Sequence, residues 1–156
     1  MEDISIIIEK LRKANLTISL AESCTGGRIA SNIVSFDGAS EFFLGGVVTY
    51  STHSKIRILN IDKKRIELYG VVSPEIAKDM SNAVKDLFVS DISISITGNF
   101  GYKSGDGLSP IGQVFISINF MNKVDVWEFN LKDNINSNIE TAVSKVFTLL
   151  NNILKN

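Results

Sequence analysis

Apolar residues recur three and four positions apart at Ile4, Ile7, Ile8 and Leu11, which predicts an amphipathic helix over residues 3–14. The period then changes. Leu16-Thr17-Ile18-Ser19-Leu20 reads as a buried strand over 16–21, and the return to helical spacing around Ile29 and Ile33 predicts a helix over about 25–35. Phe36-Asp37-Gly38-Ala39-Ser40 is turn chemistry. Phe43 to Tyr50 has strand-forming ends around Gly45-Gly46, so a strand is expected with a bulge or a close backbone approach at the glycines. Ser51 or Thr52 can cap a short helix to about Leu59, and a second short helix is predicted over 62–68.

Ser73-Pro74-Glu75 is a strong helix start: an N-cap hydroxyl, proline in the first helical position, then a carboxylate near the positive end. Ile76, Ala77, Met80, Val84 and Leu87 form its apolar face. Ile92, Ile94 and Ile96 alternate with Ser93 and Ser95, the pattern of a half-buried strand over 92–97. Residues 98–110 hold four glycines and a proline and read as a long loop, a feature that is usually functional or mobile in a small domain. Strands over 112–120 and 124–130 are expected to pair through Met121-Asn122-Lys123. Ser137-Asn138-Ile139-Glu140 matches a capping box for a last helix lined by Val143, Val146, Phe147, Leu150 and Ile153.

Helices alternating with strands imply an α/β domain with helices on both faces, and the hairpin makes the sheet mixed. The 156 residues suit one domain spanning 1–156. In such folds ligands bind beyond the carboxyl ends of the parallel strands, so the loops after strands 16–21, 43–50 and 92–97 are expected to share one crevice.

Charge narrows the partners. Sixteen basic against seventeen acidic residues give a net charge of −1, which supplies no electrostatic reason for a nucleic-acid partner. The basic run Lys63-Lys64-Arg65 is explained by a solvated helix face. No apolar run reaches the length of a membrane span, and Met1-Glu2-Asp3 lacks the positive start of a signal peptide. A single cysteine, Cys24, rules out an internal disulfide and fits a reducing, cytoplasmic setting. Phe42 and Phe43 read either as core or as a surface for self-association into a homo-oligomer.

The candidate chemistry sits at Ala21-Glu22-Ser23-Cys24-Thr25-Gly26-Gly27. A strand end is followed there by three hydroxyl or thiol side chains, two glycines and a helix start, whose free N–H groups suit an anion. A plain capped turn is the other reading. Ser23 is the first choice of nucleophile. Cys24 reads equally as a small buried hydrophobe, and His53, the only histidine, as a surface residue.

Glu22-Ser23-Cys24-Thr25-Gly26-Gly27 resembles the signature of the CinA carboxy-terminal domain family. The resemblance extends through Val48-Thr49-Tyr50-Ser51 with Lys55, Gly70-Val71-Val72-Ser73-Pro74-Glu75, Thr97-Gly98 and Pro110-Ile111-Gly112, in family order over residues 5–153. It implies a three-layer α/β/α sandwich with a mixed, mostly parallel sheet. It also implies nicotinamide-nucleotide amidase activity, the hydrolysis of nicotinamide mononucleotide to nicotinate mononucleotide and ammonia, with no metal or cofactor. Many members carry an additional amino-terminal domain; the length here resembles the stand-alone form. The resemblance assigns Ser23 as nucleophile, Lys55 as base and Tyr50 as a relay or orienting hydroxyl, with Glu22, Thr25, Gly26, Gly27, Thr97 and Gly98 around the nucleotide substrate. Before the resemblance is considered, Lys55 reads equally as a solvated helix lysine.

The chain departs from the family pattern at Asn99-Phe100-Gly101-Tyr102 and around Lys132-Asp133-Asn134 and Asn138, where two arginines suited to a phosphate are absent. Arg28, Lys103 or Lys132 can compensate only in part, since lysine meets phosphate as a point charge. The departures leave an alternative open, a nucleotide-binding or partner-docking module of the same fold with weakened turnover.

Overall fold

The computed structural model describes residues 4–155. Five strands form one sheet: β1 (Ile18–Glu22), β2 (Phe43–Val48), β3 (Ile92–Gly98), β4 (Gln113–Phe120) and β5 (Lys123–Asn130), in the order β2-β1-β3-β4-β5. β1 pairs in parallel with both β2 and β3, whereas β4 is antiparallel to β3 and to β5. Only β4 therefore runs against the others. Among the described residues six α-helices cover the sheet: α1 (Ile4–Lys13), α2 (Arg28–Val34), α3 (Thr52–Leu59), α4 (Lys63–Tyr69), α5 (Pro74–Phe88) and α6 (Ile135–Ile153). Asp3, the expected first residue of α1, lies outside the described residues.

Each face of the sheet owns a core. Ile7 and Leu11 of α1, Ile29 and Ile33 of α2, and Val146 and Leu150 of α6 pack with the isoleucines of β3 and β4 on one side. Leu59, Ile66, Ile76, Met80 and Val84 of α3, α4 and α5 pack with Ala21 on the other. The result is the expected three-layer sandwich. Phe42 is 1% exposed and belongs to the first core, so it offers no self-association surface.

The alternation in β3 has a different cause from the one expected. Ser93 and Ser95 are fully buried under α5 rather than facing solvent. Ser93 Oγ donates to the Ser81 carbonyl at 2.6 Å, Ser95 Oγ to the Ala77 carbonyl at 2.6 Å and Ser19 Oγ to the Val84 carbonyl at 3.3 Å. These carbonyls lie three and four residues apart, along one face of the helix. Ser117 and Ser81 share a further hydroxyl contact at 2.9 Å. Small polar side chains let α5 lie close to the sheet while each buried hydroxyl finds a partner.

Other differences are local. Gly26 and Gly27 adopt left-handed φ of +58° and +92°, which no helix tolerates, so α2 begins at Arg28 rather than near 25. Leu87 turns to solvent, and Phe88 instead packs inward. A Cβ on Gly45 would lie 2.6 Å from the Phe88 ring. The register skips Leu44, since Ile18 faces Phe43 and Ser19 faces Gly45, which is the expected bulge. The β4–β5 connection is two residues, Met121 and Asn122, both with positive φ, matching the tight turn that suits strand twist. The cap of α6 is Asn134, which accepts from the Ser137 amide at 3.1 Å, so the expected capping box at 137–140 does not form. Asn134 acts one turn earlier. Asn138 then bonds back to the Asp133 backbone.

Ser95→Val tests the serine contacts. Valine has the higher strand propensity, yet overpacking beneath α5 is expected to destabilise the protein by about 1–3 kcal/mol in urea unfolding. An unchanged midpoint would show that α5 does not sit on the serines.

Candidate active site

β1 lies between its two parallel neighbours; α2, on the way from β1 to β2, lies on one face of the sheet, and α3, α4 and α5, on the way from β2 to β3, lie on the other. The carboxyl end of β1 is therefore where a crevice opens. The end is held on both edges: the Thr49 amide donates to the Glu22 carbonyl at 2.8 Å, and the Ser23 amide donates to the Ile96 carbonyl at 3.1 Å. Ser23 thus emerges from a fixed backbone.

Glu22 supports the turn from below. Its buried carboxylate accepts from Thr25 Oγ1 (2.6 Å) and from the amides of Gly27 (3.1 Å), Ile29 (3.1 Å) and Ala30 (2.8 Å). This is a helix cap delivered from the preceding strand, with the negative group on the positive end of α2. It corrects the expectation for this segment. Glu22, Thr25, Gly26 and Gly27 shape the turn but do not line the crevice. The Gly27 amide is spent on Glu22 and the Gly26 amide on the Ser23 carbonyl, so neither is available to an oxyanion.

Lys55 arrives from the other side. Ser51 and Ser54 form a reciprocal capping box at the start of α3, which fixes the helix one turn before the lysine. Lys55 is 2% exposed; its Nζ lies 3.0 Å from Ser23 Oγ and donates to the Thr49 carbonyl at 2.7 Å. No carboxylate pairs with it among the described residues. Burial without a counter-ion lowers its pKa from 10.5 to about 8, a change that Cys24 opposes only weakly. A solvated helix lysine is therefore excluded. The same burial pushes the Cys24 thiol up to about 12, which makes it a poor nucleophile.

Ser23, Cys24 and Lys55 line a cleft of about 410 Å³. Thr97 and Gly98 line it from the end of β3, as expected, although Thr97 Oγ1 is engaged by the Val71 carbonyl at 2.8 Å. Tyr50 stands at the rim, 74% exposed, and the direct Lys55–Ser23 contact leaves no gap for it to relay across. His53 is exposed. Of the three cations considered for a phosphate, only Lys103 lines the cleft; Arg28 bonds to the Thr25 carbonyl. Sequence reasoning missed the apolar walls, Val71, Val72, Phe100, Ile135 and Ile139, and the loop residue Asp106. Among the described residues no three His, Cys, Asp or Glu side chains gather to hold a metal, and no helix is long and apolar enough to cross a membrane.

A buried hydroxyl beside a buried amine with a lowered pKa, in the lining of a cleft, is chemically able to support acyl transfer. The family model of the CinA C-terminal domain matches residues 2–154. The chain belongs to that family. A CinA-like protein of Flavobacterium psychrophilum is 37% identical over 157 residues, covering 99% of this chain and 38% of the relative. A CinA-like protein of Fervidobacterium nodosum is 39% identical over 127 residues, covering 81% and 31%. The chain thus spans less than two fifths of these curated relatives. The crystal structure of a CinA superfamily protein from Klebsiella pneumoniae superposes with a TM-score of 0.91 at 26% identity, covering 96% of this chain and 93% of that one. A competence/damage inducible protein from Agrobacterium tumefaciens gives 0.89 at 26%, covering 98% and 93%.

Two predictions follow from how this CinA domain buries its charges. Glu22→Gln places an N–H donor among N–H donors and is expected to cost at least about 2 kcal/mol in chemical denaturation; an unchanged stability would remove Glu22 from its supporting role. Lys55 is protonated at lower pH when folded than when unfolded, so the unfolded chain binds more protons between pH 8 and 10.5. Lys55 is therefore expected to add about 3 kcal/mol of stability across that window, read as the difference between the native protein and Lys55→Met, because the raised Cys24 thiol acts in the opposite sense above pH 9. A native pH profile parallel to that of the variant would show that the amine keeps its ordinary pKa.

Proposed function

We propose that this chain is an amide hydrolase of the nicotinamide-nucleotide amidase type, converting nicotinamide mononucleotide and water to nicotinate mononucleotide and ammonia. The observation that carries the reading is the 3.0 Å approach of the buried Lys55 amine to Ser23 Oγ. Neutral Lys55 takes the hydroxyl proton as Oγ bonds to the carboxamide carbon. The amide of Cys24, a residue that lines the cleft directly after Ser23, is the donor proposed for the oxyanion in place of Gly26 and Gly27. The intermediate collapses as its C–N bond breaks, and ammonia leaves with the proton held by Lys55. Water then gives a proton to Lys55 and attacks the acyl ester; Ser23 recovers its proton and the acid departs. Val71, Val72 and Phe100 supply apolar walls suited to an aromatic ring, and Lys103 offers a cation to a phosphate.

The absence of arginine from the cleft lining favours one second reading, a module that binds the nucleotide without turning it over.

Ammonia release from nicotinamide mononucleotide tests both. The native protein is expected to release it, and Ser23→Ala and Lys55→Met are expected to lower kcat by about a thousandfold or more. Because the neutral amine is the base, kcat/KM is expected to rise about tenfold per unit below pH 8 and level off above it. Binding without ammonia would establish the second reading, and neither binding nor ammonia would overturn both.

A further inference from the structure

The loop between β3 and β4 is built like a cradle for an anion, and the chain fills it with its own. Glycines and serines surround converging donors, an arrangement suited to holding a phosphate. Here the donors meet on Asp106. Its Oδ1 accepts from Ser104 Oγ at 2.6 Å, Ser109 Oγ at 2.8 Å, the Ser109 amide at 2.9 Å and the Leu108 amide at 3.0 Å. The Gly107 and Gly112 amides are bonded to the Ser104 and Asn99 carbonyls. Burial alone would raise the Asp106 pKa, but the bonds from Ser104, Ser109 and Leu108 outweigh it and hold the group well below the ordinary carboxylate range. The loop thus adds a fixed negative charge to the lining of the cleft.

The helix starts that border the cleft are occupied in the same way. Ser51 Oγ takes the Ser54 amide at the start of α3, and Asn134 Oδ1 takes the Ser137 amide at the start of α6, each at 3.1 Å. Where α6 meets the cleft it contributes Ile135 and Ile139, which are apolar. Among the described residues the lining holds two cations, Lys55 and Lys103. Lys55 is buried against Ser23, so Lys103 alone is left for a phosphate, and it is exposed. An exposed lysine meets a phosphate as a screened point charge, worth about tenfold in affinity at most. The ring of a nicotinamide nucleotide suits the cleft better. Ribosylated at nitrogen, it carries a positive charge, which the ionised Asp106 attracts while it repels the phosphate.

We propose that phosphate is dispensable to this site, and that the chain also hydrolyses the unphosphorylated ribosyl amide, nicotinamide riboside, to nicotinate riboside and ammonia. The proposal rests on the amidase reading for the reaction itself. The bond changes are those of the nucleotide: the amide C–N bond breaks, the oxygen of water ends on the carbonyl carbon, and the nitrogen leaves as ammonia, with nothing oxidised or reduced. The phosphate is remote from the scissile bond and weakly held, so its removal changes KM and leaves kcat nearly as it was.

The test compares nicotinamide mononucleotide with nicotinamide riboside. Affinity is measured by calorimetry in a Ser23→Ala background, and kcat and KM are measured from ammonia release with Ser23 present. The riboside is expected to bind within about tenfold of the nucleotide, with kcat within about threefold. The remaining preference for the nucleotide is expected to shrink as salt is raised, and to fall to about twofold or less in Lys103→Met, because an exposed charge pair is screened. A nucleotide preference beyond about tenfold overturns the proposal, as does ammonia from the nucleotide alone. Both are read on protein that keeps Lys103, so neither needs the variant to fold. A preference unchanged by salt and in folded Lys103→Met overturns the assignment of the phosphate to that lysine. Similar binding of the two compounds without ammonia from either removes the amidase reading and the riboside activity with it, and leaves the cleft indifferent to phosphate. Absence of both binding and ammonia overturns the two together.

Discussion

A carboxylate buried beneath a short helix decides where Ser23 stands. Glu22 ends β1 and reaches across the turn to accept four donors from the residues that open α2. The seven-residue α2 is too short to be stable by itself, and its own N-cap residue, Gly27, contributes no side chain. The strand supplies the cap instead, so the turn between them has one conformation and Ser23 one direction. The two left-handed glycines make the path possible, and Glu22 selects it.

The site handles its second buried charge in the opposite way. Glu22 is surrounded by donors, whereas Lys55 has one carbonyl, one hydroxyl and no counter-ion. A fully paired charge is a structural element, while an underpaired one is held close to losing its proton. The two lie at the same end of β1. The protein therefore spends stability on Lys55 while recovering order through Glu22, and Ser23 is held through its backbone on one side and meets the Lys55 amine on the other.

Much of this was legible in the chain because it is local. The strand–turn–glycine–helix run at 16–34, the proline start of α5 and the alternation of β3 are all set by residues close in sequence. The meeting of Ser23 and Lys55 at 3.0 Å was legible only through the resemblance, since the two lie on separate segments. What escaped depends on residues far apart. Glu22 is followed by an obvious helix start, yet its acceptor role appears only when the strand end and the helix are in place together. Ser93 and Ser95 look solvent-facing because nothing nearby in sequence announces that α5 will cover them. At α6, Asn134 and Ser137 are both able to cap, and the sequence contains no term that chooses the earlier one. The place of Asp106 in the cleft lining depends on how a glycine-rich loop folds back on itself, which period and propensity do not encode.

The hydroxyls under α5 do more than satisfy one another. Thr97 reaches the Val71 carbonyl in the same manner as Ser95 reaches Ala77 and Ser93 reaches Ser81. Strand and helix are thus fastened like the teeth of a zip, and its last tooth lies in the wall of the cleft. The row runs from Val84 to Val71, which lines the cleft, so the contacts that seat α5 on the sheet also anchor the backbone of the cleft wall.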